Sequence, residues 1–216
     1  MQVQLKKPYI AVSTPAGMSY GGNQGWSEDR TMKKCGCGVV AALDLLLYLT
    51  DSPSPTRGAY CRMLDMMRRK YLPLLYPVGI NGLTLTLGIN LLFLQKHLPY
   101  TAEWCFTGKK LLNRVSELLD ADIPVILGVG PQIPQIWKRD GLPFYRMTPG
   151  GACVPVTSVC AHYVTVTAMD ERFLTISSWG RKYYINRMEY FAYVKEHSAR
   201  LVSNILFIRK KGHGVS

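Results

Sequence analysis

The chain has 216 residues, 48% hydrophobic and 19% charged, with a formal net charge of +12. That composition supplies a core and excludes wholesale disorder. No window reaches the roughly 18–20 apolar residues of a membrane span, because the run from Leu43 to Leu49 is short and contains Asp44. The positive charge points to an acidic partner or to simple solubility. It does not single out nucleic acid, since no zinc-finger spacing, dinucleotide fingerprint or P-loop accompanies it.

In chain order, residues 1–36 read as an irregular entry with one short strand from Tyr9 to Ser13, punctuated by Gly17, Gly21, Gly22 and Gly25. The N-terminal residues carry no apolar core of the signal-peptide kind, so the chain reads as cytoplasmic and its six cysteines as free thiols. Residues 37–50 read as a buried helix, apolar on nearly every face. Thr56 to Tyr71 is a second helix, with Tyr60, Met63, Leu64 and Met67 on one side. Leu83 to Leu98 is a third and Lys109 to Ala121 a fourth.

The texture changes after Asp122. Pro124 to Val129, His162 to Ala168, Phe173 to Ser178, Arg181 to Asn186 and Asn204 to Arg209 read as strands, with a helix at Arg187 to His197. Helices followed by strands predict an α+β fold: one domain over residues 1–216, mainly helical to 122 and a largely antiparallel sheet from 123. Residues 131–160, with Pro131, Pro134, Trp137, Tyr145, Gly150 and Gly151, are long enough for a lid or specificity loop in which Trp137 binds substrate.

Cys37 opens the most apolar helix, where unpaired N–H groups and the positive end of the helix dipole favour thiolate. Cys35, two residues earlier, is the rival thiol. His162 is the candidate base. It opens a core strand and follows Cys37 by about 125 residues, near the roughly 130–150 of papain-type enzymes. Ser177 or Ser178 could orient its ring, and Trp179 could shield that bond from water. Gln24, upstream in a glycine-rich loop, is the candidate oxyanion donor beside the Cys37 N–H, with Asn23 as an alternative. A metal site from Cys35, Cys37, Cys153 and Cys160 matches no common zinc spacing, so no metal or cofactor is expected.

Lys34-Cys35-Gly36-Cys37-Gly38 before an apolar helix, His162-Tyr163-Val164-Thr165-Val166 and Ser177-Ser178-Trp179-Gly180 together resemble the papain-like cysteine peptidases. They are closer to the bacterial branch related to bacteriocin-leader peptidases than to papain. The resemblance implies a two-lobed papain-like fold, with an N-terminal helical lobe and a C-terminal antiparallel sheet lobe. It implies a peptide or protein substrate cleaved by a Cys37–His162 pair, Gln24 as oxyanion donor, and Ser177 where papain relatives carry Asn. A catalytically degenerate peptide-binding module with a basic surface is the alternative.

Overall fold

A computed structural model describes residues 2–52, 54–105, 110–132 and 141–211. The N-terminal half begins with short strands β1 (Val3–Gln4), β2 (Ser13–Thr14) and β3 (Gly17–Met18), then a single 3-10 turn at Gln24–Trp26. Helices α1 (Arg30–Cys35), α2 (Cys37–Leu49), α3 (Arg57–Lys70) and α4 (Gly82–Gln95) follow, then β4 (Tyr100–Trp104) and α5 (Leu111–Asp120). Side-chain oxygens of Asp29, Thr56 and Asn81 accept N–H groups from the first turns of α1, α3 and α4, which would otherwise lack partners. Gly36 breaks the chain between α1 and α2, so Cys37 stands at the first position of the second helix.

The second half supplies β5 (Val125–Val129), β6 (Leu142–Met147), β7 (Cys153–Val159), β8 (His162–Met169), β9 (Phe173–Ser178), β10 (Arg181–Asn186), α6 (Arg187–His197) and β11 (Ile205–Lys210). These strands form an antiparallel sheet in the order β4-β11-β5-β8-β9-β10-β6-β7, with β1 added beside β8. The chain is therefore α+β, helices first and a large antiparallel sheet after, as its residue pattern predicts. α2 packs on β8, and Gly38 to Tyr48 are all buried against this layer.

Several elements differ from expectation. The sheet draws β1 and β4 from the N-terminal half, because β11 pairs β4 from Leu206–Trp104 to Lys210–Tyr100. The entry segment holds α1, too short and polar for its periodicity to stand out. The strand expected from Tyr9 is reduced to β2. The long segment expected as a loop contributes the hairpin β6–β7 from residue 142 on. Pro134 and Trp137 lie outside the described residues.

Candidate functional site

Two elements bring candidate residues to one place. α2 presents Cys37, Val40, Ala41 and Asp44 along one face, and the facing strands present His162, Tyr163, Ser177 and Ser178. These side chains and Gln24 line one cavity of about 10 Å3, the space of a single water. Gly38 has to be glycine at this contact, since Ile80 and the Tyr163 ring occupy the space a Cβ would fill.

Cys37 is half-buried. Burial pushes its thiol above the ordinary value, while N–H groups of Tyr163, Gly38 and Cys37 itself pull the other way. The expected thiolate at the helix start is thus reversed, because desolvation outweighs the helix-end donors. The Tyr163 N–H facing the sulfur also places Cys37 beside the residue that follows His162. Cys35 closes α1 and is turned elsewhere: its thiol donates to the Pro77 carbonyl at 3.3 Å, and burial raises it too.

His162 is buried and its pKa is lowered to about 4 by that burial. The imidazole is neutral at pH 7. Its Nε2 lies 2.8 Å from Ser178 Oγ. The hydroxyl that meets the ring is therefore that of Ser178, whereas Ser177 Oγ donates to the Tyr20 carbonyl at 2.8 Å. Strand alternation explains the difference, since successive side chains of β9 point to opposite faces.

Trp179 stacks on His162, with centroids 4.7 Å apart and planes at 25°. Trp179 and Gly180 have φ of 50° and 72° and join Ser178 to Arg181. Two successive positive φ values in a two-residue connection make a type I′ turn. A bulky residue there is strained, and the geometry lays the indole over the imidazole.

Gln24 is 8% exposed, and its Nε2 donates to the Lys33 carbonyl at 3.0 Å. That leaves its second amide hydrogen for the cavity it lines. Asn23 instead accepts from the Gly25 N–H at 2.7 Å. The loop before Gln24 is fastened at both sides. Gly180 N–H donates to the Gly22 carbonyl at 2.8 Å, and Tyr20 N–H to the Gly180 carbonyl at 2.9 Å.

Asp44 is the residue that sequence reasoning passed over. It lies two turns below Cys37 and is 1% exposed. Its Oδ1 accepts from Tyr60 OH at 2.6 Å, and its Oδ2 accepts from Tyr9 OH and the Gly22 N–H, both at 3.0 Å. Burial pushes its pKa up to about 6 despite these three donors. The carboxylate thus ties the loop before Gln24 to α2. A lone aspartate inside an otherwise apolar helix was the available signal, because buried carboxylates require partners.

Among the described residues, no group of three or more His, Cys, Asp or Glu side chains could hold a metal ion. No helix among them is long and apolar enough to cross a membrane.

No family model matches the chain, and no curated protein matches it. Among solved structures, it is similar to a "putative C39-like peptidase" from Bacillus anthracis, at 14% identity and a TM-score of 0.48, covering 98% of this chain and 99% of that one. The chemistry is therefore read from this chain's own side chains.

Proposed function

We propose that this chain is a papain-like thiol hydrolase that cleaves a peptide or amide bond through Cys37 and His162. The observation supporting this is that a cysteine at a helix start, a buried neutral histidine and the Gln24 amide line one cavity. With Nε2–H given to Ser178, Nδ1 is left unprotonated and serves as base. The Cys37 sulfur attacks the substrate carbonyl carbon as its proton passes to His162. The Cys37 N–H and the Gln24 amide hold the oxyanion. The tetrahedral adduct then expels the amine, which takes the proton from His162, and water hydrolyses the thioester.

Both partners start neutral, so the proton moves during attack and no ion pair is stored in the resting protein. A peptide-reactive vinyl sulfone tests the assignment. Label should appear on Cys37, vanish with Cys37→Ser, persist with Cys35→Ser, and form about 10²–10⁴ times more slowly with His162→Ala. Equal labelling of wild type and His162→Ala would reject the pair.

A second reading, a peptide-binding module without turnover, is favoured by one observation: His162 is oriented by a hydroxyl where a carboxylate or amide would hold it more firmly. Its mark would be peptide binding that survives Cys37→Ser with no hydrolysis by the wild type.

A further inference from the structure

α4 carries leucines on opposite sides, but only one side is covered. Leu85, Ile89, Leu92 and Phe93 are buried, whereas Leu83, Leu87, Leu91 and Leu94 are 56, 70, 42 and 66% exposed. Spacings of four, four and three residues put these leucines in one row, a ridge along the helix. The turn just before α4 extends the apolar surface, with Leu75 at 73% and Val78 at 81% exposure and Tyr76 half exposed. A row of exposed leucines along one helix face marks an interaction surface.

Cationic residues lie at both ends of the ridge and beside both flanks. At the leading end, Arg30 and Lys34 lie 5.6 and 5.9 Å from the Tyr76 ring centroid. Along one flank, the end of α3 crosses α4: Tyr71 OH donates to Gln95 at 2.7 Å, and exposed Lys70 precedes it. Along the other flank, Asn90 bonds both backbone groups of Ala102 on β4 at 2.8 Å. There β11 brings exposed Arg209 and Lys210 opposite Thr101 and Tyr100. Lys96 caps the trailing end. Between Asp65 and Glu103 the chain contains no carboxylate. Glu103, on β4, is paired with Arg209 at 2.9 Å.

We propose that this face docks on an anionic phospholipid bilayer. Leucines on a helix ridge, an interfacial tyrosine and a rim of lysine and arginine make up the pattern by which a helix lies in a membrane interface without crossing it. A ridge enters a fluid acyl boundary, whereas a soluble peptide partner would need to bring its own groove. The missing carboxylates match the negative surface potential of such a bilayer. The turn at residues 75–79 packs on Cys35, so the docked face would bring the membrane close to the start of α2.

The test uses the whole chain and vesicles, at low and high salt, of phosphatidylcholine alone or with one-third phosphatidylglycerol. The wild type should co-sediment with the anionic vesicles and dissociate as salt rises. Leu87→Gln with Leu91→Gln keeps good helix formers at exposed positions and should weaken binding about tenfold or more. Lys34→Gln with Lys70→Gln should weaken it at low salt only. Circular dichroism and melting should be unchanged in both. Failure to sediment with either vesicle, or equal binding to both, overturns the proposal. So does a wild-type dimer in light scattering that the leucine substitutions dissociate, which would assign the ridge to a second copy of this chain.

Discussion

His162 Nε2 lies 2.8 Å from Ser178 Oγ, a neutral hydrogen bond under the Trp179 indole. A hydroxyl orients the ring but adds no negative charge beside it, so nothing opposes the burial that holds His162 near 4. Ser178→Asp should raise the imidazole pKa and increase the rate of Cys37 labelling. Ser178→Ala should lower the labelling rate about tenfold by freeing the ring. Ser177→Ala should leave the His162 titration in place, because its hydroxyl serves the Tyr20 carbonyl. Titration of the imidazole protons by NMR, with labelling rates for the three variants, separates the two serines.

Asp44 and His162 should make opposing contributions to stability between pH 4 and 6.5. His162 falls from 6.5 to about 4 on folding, so the unfolded chain binds the extra proton and stability drops as pH falls through that window. Asp44 rises from 3.8 to about 6, so the folded chain binds the extra proton and stability grows as pH falls. Each amounts to about 3 kcal/mol, with opposite sign. Urea unfolding across pH should show the two variants sloping in opposite directions, with the wild type between them. Asp44→Asn should lose stability on acidification, and His162→Gln should gain it. Parallel slopes in the two variants would contradict this account.

Trp179 covers one face of the imidazole. Trp179→Ala should admit water to the ring and move the His162 pKa from about 4 back toward 6.5. The effect is read as a shifted NMR titration in a variant whose circular dichroism shows it still folded, since unfolding would also return the imidazole to 6.5.

Gly22 sits against the Tyr60 ring and hydroxyl, with no room for a Cβ. Tyr60 is buried and bonded to Asp44, so it has nowhere to go. Gly22→Ala should cost about 1–3 kcal/mol and displace the Gln24 loop. Thermal melting measures the first effect. A fall in Cys37 labelling beyond that seen in an equally destabilised variant with its substitution distant from the cavity measures the second.

The helices from α2 to α5 and the strands β5, β8, β9, β10 and β11 were legible in the residue pattern, because each is long and strongly periodic or uniformly apolar. α1 and β4 were not, since a six-residue polar helix and a five-residue strand of mixed polar and apolar residues do not stand out from loop, whereas β5, equally short, is apolar throughout. The β6–β7 hairpin was masked by the prolines and glycines around it, which read as loop.

Cys37, His162 and Gln24 were identifiable as chemical types at suggestive positions, and the order of helix start, strand start and polar strand end was visible in one dimension. Which serine meets the histidine was not, because a strand alternates faces and only its register across the sheet decides which face looks at His162. The state of the thiol was not legible either: the helix-end field belongs to the local sequence, whereas the burial that overrides it comes from strands more than a hundred residues away. Asp44 shows the same division. Its place in an apolar helix is written in the sequence, but Tyr9, Tyr60 and Gly22 gather around it only when the chain folds, since solvating a buried carboxylate takes donors from several elements at once.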